Sequence, residues 1–128
     1  MNSRGALGER LAAQYLKERG YSVVSRNYRS AYGEIDLICT KEDMLVFAEV
    51  KTRAVNAMVA GEYAVGNQKQ QRIIKTAVSF LSEADNKRYD GLLPRFDVVI
   101  IEIDAGRYRT THYKAAFDLG GMQSELSI

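Results

Sequence analysis

The sequence predicts a single α/β domain whose mixed sheet starts antiparallel and is flanked by helices, and three observations predict it. Residues 33 to 53 form two alternating arms joined by a short polar break at Lys41-Glu42-Asp43, the pattern of an antiparallel hairpin. Two further segments, residues 4 to 19 and one starting near Asn67, repeat apolar residues at helical spacing. Residues 96 to 103 and 108 to 117 read as strands around Asp104-Ala105-Gly106-Arg107, a strong turn signal. The expected order is helix, three strands, helix, two strands.

Each element has its own local cause. In the first helix Leu7, Leu11, Ala12, Tyr15 and Leu16 share a stripe, and Gly20 supplies the stop. Residues 21 to 28 make the first strand, followed by a polar turn containing Ser30 and leading to Gly33. The segment from Ala54 to Gly66 lacks periodicity and reads as a mobile loop. Asn67 is a good cap for the second helix, which is expected to bury Ile73, Ile74, Ala77, Val78 and Leu81. One domain is expected over residues 1 to 120, with a frayed tail over 121 to 128 after Gly120-Gly121.

The hairpin carries the chemistry. A symmetric loop centred between Glu42 and Asp43 places Asp36 opposite Glu49 and Glu34 opposite Lys51, all on one face. Directly opposed residues have Cβ atoms only ~5 Å apart, and like charges there are destabilising. Two carboxylates so placed need a cation between them. A hard divalent ion fits, because it takes oxygen ligands and is commonly held by one or two carboxylates plus water and phosphate. Lys51, two residues beyond Glu49, adds an ammonium that can orient or acidify an attacking water and offset phosphate charge. The alternative is a surface hairpin with solvated cross-strand ion pairs. Against it, Ile35, Leu37, Ile38, Leu45, Val46, Phe47 and Val50 make both faces apolar near the charges, where unpaired carboxylates are costly.

Composition narrows the classes. The chain has 128 residues, 46% of them hydrophobic, enough for one modest core. No apolar run approaches the ~20 residues that span a bilayer, so no membrane partner is expected. The N-terminal residues have no apolar signal core, which leaves the cytoplasm as the expected compartment. The single cysteine, Cys39, agrees with a reducing compartment and reads as a buried structural thiol. A net charge of +2 does not announce nucleic-acid binding, so the distribution of charge must carry that argument. There is no glycine-rich phosphate loop followed by lysine and a hydroxyl residue. The one histidine, His112, has no partner at ligand spacing and no nucleophile beside it in sequence. It reads as a structural histidine.

Taken together, Gly8-Glu9, Asn27-Tyr28-Arg29, Gly33-Glu34-Ile35-Asp36-Leu37-Ile38, Phe47-Ala48-Glu49-Val50-Lys51-Thr52-Arg53 and Lys69-Gln70 closely resemble the YraN-like family of uncharacterised bacterial proteins. That family looks like a branch of the restriction-endonuclease-like PD-(D/E)xK superfamily, near archaeal Holliday junction resolvases. The resemblance implies a three-layer fold with a central mixed sheet of about five strands. It also implies a Mg²⁺- or Mn²⁺-dependent DNA endonuclease in which Asp36 and Glu49 bind metal, Glu9 completes the acidic cluster, and Lys51 is the catalytic lysine. Ile35 stands where the superfamily's name has proline. On a helical wheel Glu9 lies at the edge of the buried stripe, so leaning toward the sheet and pointing to solvent are both open.

Cations near this face would engage the substrate. Arg53 extends the hairpin, Arg26 and Arg29 flank the first strand, and Lys69, Arg72 and Lys75 share one arc of the second helix. Such an arc can track a phosphate backbone without reading bases. Gln68, Gln70 and Gln71 are further candidate donors, and Tyr28, Tyr32 and Tyr63 are candidate stacking residues, Tyr28 fitting core packing better. The expected partner is DNA, with branched or single-stranded regions in view, and a two-fold dimer is the commonest assembly for a small domain that cuts two strands. The alternatives are a non-catalytic nucleic-acid-binding or recruitment module on the same fold, and a protein-interaction domain.

Overall fold

The computed structural model describes residues 3–54 and 65–118. The first helix, α1 (Ser3–Glu18), ends as its sequence predicts. Gly20 takes φ +91°, its N–H bonds to the Lys17 carbonyl, and the Tyr21 N–H reaches back to the Leu16 carbonyl. This is the paired bonding of a glycine-terminated helix, with Tyr21 and Leu16 buried together.

Five strands follow in the order β1 (Ser22–Ser30), β2 (Gly33–Lys41), β3 (Met44–Ala54), β4 (Leu93–Asp104) and β5 (Arg107–Phe117), with α2 (Asn67–Ser82) and a 3-10 turn (Ala84–Tyr89) between β3 and β4. They form one sheet in sequence order. Every neighbouring pair is antiparallel except β3 and β4, which run parallel. A parallel pair needs a long crossover, and α2 supplies it. The hairpin register is the expected one, from Lys41 opposite Met44 to Leu37 opposite Ala48. At the other hairpin Ala105 and Gly106 both have positive φ, the two-residue turn whose twist matches the strands.

Two apolar layers sandwich the sheet. On one face Ala12, Ala13 and Leu16 of α1 pack on Leu37, Cys39, Val46, Ala48, Val99 and Ile101. On the other, Ile73, Ile74, Ala77 and Phe80 of α2 cover Ile35, Ile38, Leu45, Phe47, Phe96, Val98 and Ile100. Odd-numbered β3 residues thus face α2 and even-numbered ones face α1. This α/β arrangement, a five-stranded mixed sheet flanked by helices, is consistent with a restriction-endonuclease-like fold.

The structure corrects three details. Asn67 is the first helical residue and not the cap; Gly66 holds that position without a side-chain cap bond, and the Gln70 amide bonds the Val65 carbonyl at 2.6 Å instead. Val78 is 41% exposed, while Thr76 and Phe80 are buried in its place, because the stripe centred on Ile73, Ala77 and Phe80 leaves residue 78 at its rim. The first strand runs on to Ser30. The expected loop is outside the described residues over 55–64, as is the expected tail. Among the described residues no helix is long and apolar enough to cross a membrane.

Gly8 fixes how closely α1 approaches β3. A Cβ there would lie 1.8 Å from Thr52 Oγ1 and 3.0 Å from Thr52 Cβ. Rotating the threonine does not relieve a clash with its own Cβ. Gly8→Ala should therefore cost about 1–3 kcal/mol, the usual penalty of overpacking, and a urea midpoint equal to that of the wild type would refute this close contact.

Candidate functional site

The site lies where β2 and β3 part. Their ladder ends at Leu37 opposite Ala48, one step before Asp36 and Glu49. The Asp36 carboxylate accepts a hydrogen bond from the Val50 N–H at 2.8 Å, a side chain doing what a strand carbonyl would otherwise do. Alternation also breaks here. Leu37 and Cys39 belong to the α1 layer, Ile38 to the α2 layer, yet Ile35 joins Ile38. On the other side Asn27, between the pairs Arg26–Leu37 and Tyr28–Ile35, has φ +52°, a conformation asparagine tolerates better than most residues. The distortion brings Asp36 into hydrogen-bond contact with the Glu49 carboxyl.

Electrostatics follow from that contact. Burial first, then the Glu49 charge and, more weakly, the charge of Glu9 push the Asp36 carboxyl up to about 7, against the opposing pull of the Val50 N–H. Glu9 reaches this neighbourhood because its helix neighbour Gly8 lets α1 lie against Thr52. Glu49 is buried and forms an ion pair with the Lys69 ammonium. Lys51 is half-buried, and burial followed by the charges of Lys69 and Arg53 lowers its pKa, against the pull of Glu49.

A native pKa near 7 against the unfolded 3.8 means that the folded protein holds a proton the unfolded chain has released between those values. Asp36 therefore costs stability progressively as pH rises through that window, with the full cost above 7. Asp36→Asn should stabilise the metal-free protein by about 1–3 kcal/mol at pH 8 and change little at pH 4. Equal gains at both pH values in urea melts would refute the strained pair.

The sequence-predicted residues are only partly brought together. Asp36 meets Glu49 and Glu49 meets Lys69, with Lys51 and Glu9 acting through their charges. Among the described residues no three or more His, Cys, Asp or Glu side chains gather as a metal-binding group. The donors present are two hard carboxylates in contact, a set that fits Mg²⁺ or Mn²⁺ keeping several waters. Glu34 does not face Lys51. It pairs with Arg29 across β1 and β2 at 2.8 Å, because the β2–β3 ladder has already ended, and Arg29 stays 81% exposed. Arg53 faces the α2 side beside Glu102 of β4. Arg72 lies over Gly33, and Lys75 sits 5.5 Å from the Tyr32 ring, so Lys69, Arg72 and Lys75 run along α2 from Glu49 toward the β1–β2 turn. Tyr28 packs edge-on against Phe80 at 5.2 Å and donates its hydroxyl to Glu83. Burial and that acceptor push its pKa up to about 12. Tyr32 is half exposed, and Tyr63 lies outside the described residues.

One polar network was missed by sequence reasoning. Asp97 is buried on the α1 side and takes two bonds from Arg95 at 2.9 and 2.8 Å, one from the Ala115 N–H at 3.0 Å, and a contact from His112 Nε2 at 2.7 Å. His112 is 3% exposed and meets Tyr15 and Tyr21 edge-on at 5.6 and 6.0 Å, a structural setting. The available signal was a charge inside the apolar run from Phe96 to Ile101. Cys39 is buried beside this network, and burial pushes its thiol up to about 12.

Comparison with known proteins bears on the whole of this framework. The model of the uncharacterised protein family UPF0102 matches residues 8–101, from the Gly8 contact into β4. A UPF0102 protein of Syntrophus aciditrophicus (strain SB) is 42% identical over 115 residues, covering 90% of this chain and 88% of that one. One from Treponema pallidum (strain Nichols) is 43% identical over 103 residues, 80% of each chain. A third, from Syntrophotalea carbinolica, is 38% identical over 119 residues, 93% of this chain and 94% of that one. The chain belongs to UPF0102, the YraN-like family that its motifs resemble.

Proposed function

We propose that this protein is a Mg²⁺- or Mn²⁺-dependent endonuclease that hydrolyses phosphodiester bonds in DNA, with branched DNA as the favoured class. The observation that carries the proposal is the contact of half-buried Asp36 with buried Glu49, with Lys51 two residues along the same strand as Glu49. A strand end with two carboxyls forced together and two ammonium groups beside them is a poor structural device, because each buried charge is costly unless it is matched. It suits a site that gathers cations around a phosphate.

Asp36 and Glu49 would hold the ion, and Glu9 adds negative charge behind Asp36. When bound, the ion supplies Lewis-acid charge and acidifies water. Lys51 orients the attacking water and offsets the negative charge that grows on the non-bridging phosphoryl oxygens as the water oxygen, giving up a proton, bonds to phosphorus and the opposite ester bond breaks. The leaving oxygen then takes up a proton. Lys69, Arg72 and Lys75, with Arg29 and Arg53, hold the phosphate backbone through charge alone.

The test is incubation of the protein with branched, flapped, single-stranded and duplex DNA in Mg²⁺, Mn²⁺ or chelator. Metal-dependent cleavage is expected, fastest on the branched substrate, and Mn²⁺ should raise the melting temperature of the wild type but not of Asp36→Asn. No cleavage on any of the four would favour the non-catalytic binding module. Replacing Arg72 and Lys75 together by alanine should weaken DNA binding and reduce its salt slope by about 1–2. The metal-induced shift in melting temperature should stay intact in that variant, and an unchanged salt slope would remove α2 from the binding surface.

A further inference from the structure

Lys69 stands apart from the other cations of α2. Arg72 and Lys75 are exposed, whereas the Lys69 ammonium turns back to Oε2 of Glu49, a side chain only 9% exposed. The partners lie 20 residues apart on opposite sides of the site, one on the central strand β3 and one in the first turn of α2. In the metal-free protein, then, Glu49 already has a cation.

We infer that Lys69 is the resident counter-cation of Glu49, filling in the metal-free protein the place that a divalent ion takes, and leaving the carboxylate when the ion binds. The inference rests on the metal-site reading proposed above. Two cations drawn to one carboxylate repel each other, and a dication outcompetes the singly charged ammonium beside it. Lys69 is built to leave. Its side chain is 47% exposed, so a flexible stem can swing into solvent without unpacking the core. Nor does α2 depend on it for its position. The start of that helix is tied by the Gln70 N–H to the Gly66 carbonyl at 2.9 Å and by the Gln70 amide to the Val65 carbonyl at 2.6 Å. Ile73, Ile74 and Ala77 anchor it to the sheet.

The released ammonium stays on the first turn of α2 beside Glu49, within reach of a substrate phosphate drawn to the site. Lys69 therefore exchanges one anionic partner for another, Glu49 for phosphate, so metal and DNA should bind better together than either does alone. A lysine that served only as a backbone contact would influence metal affinity without DNA no more than its unpaired charge nearby does, so the effect of removing Lys69 should exceed that of removing Lys51.

Calorimetric titration of Mn²⁺ into the DNA-free protein separates these roles. Lys69→Ala should bind Mn²⁺ about three- to tenfold more tightly than wild type, the range expected from removing a partly exposed ion pair. Lys69→Gln should show the same sign, and serves if the alanine variant folds poorly. Lys69→Arg should stay near the wild-type affinity. Wild-type binding with an unchanged or weaker affinity in both neutral variants overturns the inference while leaving the metal site standing. Absence of Mn²⁺ binding in wild type and variants alike overturns the metal site itself, and the role of Lys69 with it.

Discussion

Replacing Lys51 by alanine is expected to lower DNA cleavage by about two to three orders of magnitude, the usual cost of deleting one preorganised group that stabilises transition-state charge. Mn²⁺ binding should persist with equal or greater affinity. In the proposed mechanism Lys51 is not a ligand, and its ammonium stands close enough to Glu49, Lys69 and Arg53 for their charges to act on it, so its removal takes positive charge away from the site. The loss should appear in kcat with KM nearly constant, because the group acts on charge that develops only during the reaction. Cleavage by the variant at the wild-type rate would rule out the assigned mechanism.

Asp97→Ala is expected to destabilise the protein by about 3–5 kcal/mol, the range for removing one partner of a buried charge network. The substitution strands Arg95, whose side chain is only 18% exposed, together with buried His112 and the Ala115 N–H. It also acts at a distance on the candidate site. Asp97 is opposite Ala48 in the β3–β4 register, one step from Glu49 opposite Val98, so looser pairing there loosens the strand that presents Glu49 and Lys51. Burial alone would raise the Asp97 pKa, but His112, Arg95 and the Ala115 N–H together hold it below its ordinary 3.8. Its stabilisation is therefore complete above that unfolded value and is lost as the pH falls through the lower native one. Urea unfolding at pH 7 measures the loss, and a change under about 1 kcal/mol would mean that the network is ornamental.

Residues close in sequence made the hairpin and its register legible. The two-residue Glu42–Asp43 turn sets the register from Lys41–Met44 to Leu37–Ala48, so counting brings Asp36 and Glu49 to the end of the ladder, while the distortion just beyond it completes their contact. Gly20 as a helix stop and Gly106 in the β4–β5 turn are equally local, each at a positive φ that few other residues adopt cheaply. The failures have a common cause. Counting along two strands assumes that the ladder continues, but it ends at Leu37–Ala48, and Glu34 therefore goes to Arg29 instead of Lys51. Helical spacing places Lys69 on an arc with Arg72 and Lys75, yet cannot say that α2 crosses the sheet with its first turn over Glu49. Arg95, Asp97, His112 and Ala115 come from strands that meet only when β5 folds back on β4. Local pattern determines which face a side chain leaves from, because the periods of strand and helix are geometric constants. Which charge it meets there is decided by how the layers stack, since only packing removes the water that would otherwise solvate each charge separately.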